Sequence, residues 1–192
     1  MEGLVWVNEN LHGSAAFNNF VSFFTSLGDG GYIWLIIAAV LLCFKKTRVS
    51  ALVMMISLAV GAIINDTILK EIFARPRPFS VNEDFKVFIE SVGYELPSGF
   101  SFPSGHTFSS FNCAVVLTLF NKKMGYFTIP LATLIGLSRI FMCVHYPTDV
   151  LAGAVCGILT ALAVYVLYLL VVRKIVAFKR NKVRKGVRLW LE

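Results

Sequence analysis

The side chains able to do chemistry gather in three short stretches of this chain. Ser138 to Asp149 places a guanidinium (Arg139), an imidazole (His145) and a carboxylate (Asp149) at the join between two long apolar segments. Ionisable groups that close to hydrocarbon are costly, so a site is the default reading. His145 and Asp149 are four apart, and Pro147 between them suits the first position of a new helix. Asp149 would then sit in the first turn, where it could orient the His145 ring and raise its basicity. The same two residues would also serve as a capping histidine and a surface aspartate. The second stretch, Lys70 to Pro78, adds the cations Lys70 and Arg77, and the third, Pro103 to His106, adds Ser104, Gly105 and a second imidazole.

This set fits a phosphate. An arginine fork matches phosphate oxygens and a lysine supplies a compact charge. Ser104 and Gly105 open a helix, where backbone N–H groups and a hydroxyl can hold an anion, and Gly105 leaves room for close approach. With Lys70, Arg77 and Arg139 on the phosphate, two histidines remain. One can attack phosphorus as a neutral imidazole and the other can protonate the leaving oxygen. Asp149 stands with His145, which makes His145 the nucleophile and His106 the acid. No cluster has metal-ligand spacing, no cofactor is expected, and the cations supply the charge that a metal would bring.

The elements around these residues read as membrane spans. The chain is 57% hydrophobic and 15% charged, and apolar runs of spanning length recur, so the expectation is an all-α polytopic bundle forming one domain over residues 1–192. Five spans are expected, at about 31–44, 49–70, 106–120, 127–144 and 147–172. Residues 14–27 read as an interfacial amphipathic helix or a short sixth one, being short and polar for a crossing. Residues 79–103 form an outer polar loop, either a functional cover or a linker, and residues 173–192 a basic inside tail. In the last span, Gly153-x-x-x-Gly157 suits close packing of another helix, within the bundle or between copies. Cys43, Cys113, Cys143 and Cys156 read as small hydrophobes.

The net charge of +7 does not point to nucleic acid, because it is segregated. Thirteen of the 18 Lys and Arg fall in three clusters, at 45–48, 122–123 and 173–188, that a five-span topology puts on one side; of the 11 acids only Glu192, just past the last cluster, shares that side. That is the positive-inside pattern. The tail would be solvated there or would touch anionic lipid heads. The five remaining cations, Lys70, Arg75, Arg77, Lys86 and Arg139, break the rule, and four of them fall within two of the three stretches.

Lys70-x6-Arg77-Pro78, Pro103-Ser104-Gly105-His106 and Ser138-Arg139-x5-His145-x3-Asp149 together resemble the three-part signature of the type 2 phosphatidic acid phosphatase family, whose site is shared with vanadium haloperoxidases. Every signature position is filled, and the match covers about Lys70 to Asp149 directly. The resemblance implies a phosphohistidine on His145 oriented by Asp149. It implies His106 as general acid, Lys70, Arg77, Ser104, Gly105 and Arg139 on the phosphate, and no metal. Small size and five spans look most like the bacterial undecaprenyl-diphosphatases and phosphatidylglycerophosphate phosphatases of the family. The substrate expected is a lipid phosphate presented within the bilayer, undecaprenyl diphosphate first, at the periplasmic or extracellular face of the plasma membrane. A phosphatase for phosphatidylglycerophosphate or phosphatidic acid, a phosphotransferase to an alcohol, a soluble haloperoxidase and a transporter-like bundle are the other readings. The apolar runs speak against the haloperoxidase, and two histidines beside an anion cradle speak against the transporter.

Orientation is directly checkable. In a chain stripped of its four native cysteines, a cysteine at Glu90 is expected to react with an impermeant thiol reagent added outside the cell, and one at Lys182 is not. The reverse pattern would invert the topology.

Overall fold

The computed structural model describes residues 1–12 and 14–189, with side chains to residue 180. Every regular element among them is helical. The order is α1 (Glu2–Leu11), α2 (Ala15–Gly28), a 3-10 turn (Asp29–Gly31), α3 (Tyr32–Leu42), α4 (Arg48–Ala62), a π-helical stretch (Ile63–Leu69) and α5 (Lys70–Phe73). A second 3-10 turn (Pro78–Ser80), α6 (Glu83–Ser91), α7 (Gly105–Phe120), α8 (Lys122–Phe141) and α9 (Pro147–Leu189) follow.

Four helical stretches are long and apolar enough to cross a membrane: Ala15–Leu42, Arg48–Ser80, Lys122–Phe141 and Pro147–Arg180. Their outward faces carry large apolar side chains, including Ile36 and Val40, Leu52 and Ile56, and Leu151 and Leu159, as hydrocarbon requires. The helix expected as the third span, α7, has 16 residues and so reaches about 24 Å. It lies at the centre, enclosed by α4, α8 and α9. There it carries Ser110 and Asn112, both fully buried and both satisfied across helices. Trp34 Nε1 donates to Ser110 Oγ at 3.1 Å, and Asn112 Nδ2 donates to the Ser57 carbonyl at 2.7 Å. Such bonds tie helices together where apolar burial alone gives no preference over lipid.

Several expectations change. The separate helix at 14–27 is the first half of one kinked stretch with α3. No polar linker divides them; Gly30 (φ 56°) and Gly31 (φ 71°) make the bend in three residues through a left-handed backbone that favours glycine. Two of the polar residues that read as interfacial face the bundle, while Asn19 and Ser26 stay exposed: Asn18 Nδ2 donates to the His12 carbonyl and Thr25 accepts from Arg139. The inside loop at 121–123 shrinks to the cap Asn121, which accepts from the Lys123 N–H. α9 runs past the expected end at 172, while the tail side chains beyond residue 180, and Trp190 to Glu192 altogether, lie outside the described residues. The polar segment 79–103 is half helical. α6 is capped by Asn82, has Glu83 and Asp84 in its first turn where the helix dipole favours anions, and buries Phe85, Phe88 and Ile89. It packs through them on Leu4, Val21 and the turn Met142–Val144.

α7 and α9 meet without a side-chain layer. A Cβ at Gly153 would stand 2.6 Å from the Ser104 carbonyl, and one at Gly157 would run into that of Phe108. The Gly-x-x-x-Gly pair is therefore spent inside the bundle. Gly157→Ala is expected to cost about 1–3 kcal/mol, seen as a fall of roughly 2–10 °C in the unfolding midpoint of the detergent-solubilised protein. Gly3→Ala, whose added carbon meets nothing within 4 Å, is the control. An unchanged midpoint for Gly157→Ala would refute this packing.

Candidate functional site

Three chain segments converge at one end of α7. Lys70, Arg77, Gly105, His106, Arg139 and His145 line a cavity of 660 Å³, with Asp29 and Tyr94 on its wall. Ser104 and Asp149, also expected at the site, are fully buried and stand behind its lining. A second cavity of 270 Å³, between the α2–α3 bend and the π-helical stretch, shares Lys70, Gly105 and His106 with the first. His106 thus stands in the wall between the two.

The turn that carries His145 is built by the end of α8. Cys143 takes a left-handed backbone (φ 54°), and the Arg139 carbonyl accepts from the N–H groups of both Val144 and His145. His145 itself precedes α9. Pro147 opens that helix, and Asp149 reaches back from its first turn to accept from the Tyr146 N–H at 2.9 Å. The Ser104 N–H donates to the Asp149 carbonyl at 3.0 Å. The starts of α7 and α9 are thereby fastened to each other, and the Ser104 N–H is spent there rather than free for an anion.

His145 is held on both nitrogens. Arg77 Nη1 lies 3.2 Å from its Nε2. A guanidinium can only donate, so Nε2 carries the lone pair and Nδ1 the proton. Nδ1 is 3.3 Å from Ser101 Oγ, which donates to Asp149 Oδ2 at 2.5 Å; the direct Nδ1–Oδ2 separation is 3.5 Å. Asp149 therefore orients the ring partly through Ser101. Arg75 Nη1 lies 2.6 Å from the other carboxylate oxygen and its guanidinium stacks 3.9 Å over the Tyr146 ring. Burial holds the His145 imidazole well below its ordinary pKa; Asp149 opposes this, and Arg139 and Arg77 reinforce it. The ring is neutral at pH 7, with its lone pair toward the cavity cations.

The cations are anchored as well. Arg77 Nε and Nη2 donate to the carbonyls of Gly99 and Ser98, pinning the end of the outer segment. Lys70 Nζ pairs with Asp66 at 2.7 Å, and a Cβ on Gly105 would sit 3.2 Å from Asn65 Nδ2 and 3.7 Å from that ammonium. Lys70 thus stands at the start of α7, whose first N–H groups have no partner within the helix. The π-helical stretch widens the turn just before Lys70, a feature frequent at functional sites. Arg139 is 1% exposed. Its Nη1 donates to Thr25 and, at 2.7 Å, to the Tyr94 hydroxyl, while its Nε has no acceptor.

Four residues of this network were not singled out by sequence: Arg75, Ser101, Tyr94 and Asp29. Arg75 left one signal, being a cation on the acidic side of the chain, and Asp29 another, as a carboxylate among three glycines in an apolar region. His106 Nε2 lies 2.9 Å from Asp29 Oδ1, which also accepts from Tyr94 at 2.8 Å. Among the described residues no group of three or more His, Cys, Asp or Glu is arranged as metal ligands.

Residues 49–173 match the profile of the PAP2 superfamily. The chain is 36% identical over 138 residues to the bacitracin transport permease protein BcrC of Bacillus licheniformis, covering 70% of this chain and 66% of that one. It is 32% identical over 150 residues to an undecaprenyl-diphosphatase of Sulfolobus acidocaldarius, covering 77% and 69%. It thus spans about two thirds of the length of both relatives. The crystal structure of a transmembrane PAP2-type phosphatidylglycerolphosphate phosphatase from Bacillus subtilis superposes with a TM-score of 0.63 at 26% identity, over 80% of this chain and 77% of that one. With the profile spanning most of the chain and the fold shared, this multi-pass membrane protein belongs to the PAP2 superfamily of lipid phosphatases.

Proposed function

We propose that the chain removes the terminal phosphate of a lipid diphosphate, undecaprenyl diphosphate first, through a phosphohistidine on His145. The observation that carries the reading is the convergence of Lys70, Arg77, Arg139, His106 and His145 on one cavity. Three cations beside two imidazoles need an anion as partner, and a phosphate supplies the acceptor oxygens. The His145 Nε2 lone pair attacks phosphorus, and the P–O bond to the leaving group breaks as His106 gives that oxygen a proton. Lys70, Arg77, Arg139 and the N–H groups at the start of α7 stabilise the equatorial oxygens, with Ser104 holding the helix start in place. Water then attacks phosphorus, His106 takes back a proton, and the P–N bond breaks to release inorganic phosphate and free His145. No step requires a metal.

We take residues 1–192 as one domain, with α7 as a fifth crossing that seals the bundle from within. Charge segregation supports a site on the outer face of the plasma membrane. The choice of an isoprenoid diphosphate rests on the name of one relative, the undecaprenyl-diphosphatase. The likeness to a phosphatidylglycerolphosphate phosphatase favours a glycerolipid as the second reading.

His145→Ala is expected to abolish phosphate release. Asp149→Asn is expected to lower kcat by at least about 100-fold, with the unfolding midpoint followed in parallel. Near wild-type release from His145→Ala would overturn the nucleophile. Over a panel of lipid phosphates in matched detergent with chelator present, activity should persist and kcat/KM should favour undecaprenyl diphosphate. A preference for phosphatidylglycerophosphate or phosphatidic acid above about tenfold, roughly 1.4 kcal/mol of transition-state binding, would select the second reading. Activity lost in chelator and restored by Mg²⁺ would overturn the metal-free mechanism.

A further inference from the structure

We infer that Asp29 is the positioning residue of His106, a second carboxylate–imidazole pair set opposite the Asp149–His145 pair. The inference rests on the reading of His106 as the proton donor. Asp29 lies outside the three signature stretches, in the bend of the first kinked helix.

The geometry has three parts. First, Asp29 Oδ1 is 2.9 Å from His106 Nε2. A carboxylate facing Nε2 makes that nitrogen an N–H donor. Among the described residues Nδ1 has no hydrogen-bond partner, which leaves it as the atom to exchange a proton with the leaving oxygen. Second, the ring is gripped on its side. A Cβ at Gly28 would run into His106 Cδ2 and would stand 2.8 Å from Ile135, so the residue before Asp29 must be glycine for the carboxylate to come this close. Gly30 and Gly31 then turn the chain away through positive φ. The three glycines around Asp29 are thus explained by the placing of one carboxylate. Third, that carboxylate is itself fixed. Tyr94 donates to it at 2.8 Å and receives a bond from Arg139 at 2.7 Å. The chain Arg139–Tyr94–Asp29–His106 connects a phosphate-facing cation to the ring that hands over the proton.

Asp29 faces the ring from the bend, and Arg77 and Arg139 line the cavity beside it. Two guanidinium ions disfavour a protonated imidazole, and a carboxylate in contact favours it. Among the described residues Asp29 is the side chain in contact with Nε2, so it favours a proton on the ring against those cations and fixes the direction in which the ring faces.

Leaving-group dependence separates this role from a structural one, because an alkoxide needs the acid and a nitrophenolate scarcely does. The full chain in detergent is assayed by kcat/KM on a long-chain alkyl phosphate and on a chain-matched nitrophenyl phosphate. Asp29→Asn is expected to lower the alkyl value about 10–100-fold and the aryl value less than about 3-fold. Asp29→Glu should recover part of the loss, and His106→Ala should show the same selectivity more strongly. Equal losses on both esters, or loss of both in Asp29→Asn and Asp29→Glu alike, would make Asp29 a structural contact and overturn the inference. So would no loss on either. A selective loss in His106→Ala alone would overturn the role of Asp29 and leave the acid in place, whereas no selectivity in His106→Ala would overturn both.

Discussion

Direct backbone contact between α7 and α9 is the constraint on which the site depends. Gly153 and Gly157 bring the axis of α9 onto the carbonyls of Ser104 and Phe108, and the Ser104 N–H to Asp149 carbonyl bond fixes the axial register. Two helix starts are therefore level at one end of the bundle. One carries His106 at its second position. The other is preceded by His145 and carries Asp149 in its first turn. A side-chain layer between these helices would separate the two imidazoles and remove the cavity wall they share. The requirement for glycine at 153 and 157 thus bears on the geometry of the cavity as much as on packing.

Electrostatics then decides what that cavity can hold. Arg77 and Arg139 are nearly buried, and burying guanidinium ions costs several kcal/mol each unless acceptors surround them. Arg77 meets the cost with backbone carbonyls at 98, 99 and 144. Arg139 meets it partly, with Thr25 and Tyr94, and keeps one donor free. The same low-polarity surroundings keep His145 neutral and hence nucleophilic. A cavity lined by two arginines and an uncharged imidazole, and short of acceptors, is complementary to a phosphate. Asp149 does not make His145 an imidazolium; with Ser101 it chooses the tautomer that turns the Nε2 lone pair to the cavity.

The site was legible in sequence to the extent that its residues keep fixed spacing to one another. Lys70 and Arg77, Ser104 to His106, and Arg139, His145 and Asp149 each sit in a stretch whose local backbone is set by a helix start or a turn, so spacing carries geometry. Charge segregation likewise set apart the cations that lie outside the three basic clusters. Asp29, Tyr94, Ser101 and Arg75 were opaque because each acts through a contact with a distant segment, and a single residue has no spacing to read. The helix at 14–27 misled for a related reason. Asn18 and Thr25 look like the wet side of an interfacial helix, yet they are donors and acceptors for the bundle interior. Inside a membrane protein, polarity on a helix face does not say whether water or a buried arginine is the partner.

The outer segment illustrates how stability and function meet. α6 buries Phe85, Phe88 and Ile89 against Leu4, Val21 and the turn at Met142–Val144, and His12 stacks on Phe88 while its Nε2 donates to the Phe141 carbonyl at 2.7 Å. Apolar burial thus presses from outside on the turn that carries His145, while Arg77 holds the carbonyls at 98 and 99 from below. Tyr94, between these two anchors, is the one aromatic of the segment that bonds both Asp29 and Arg139. A segment fixed at both ends by contacts with site residues is part of the cavity's wall and not a linker over it. Tyr94 thereby ties the wall of the cavity to both the buried guanidinium of Arg139 and the carboxylate in the bend.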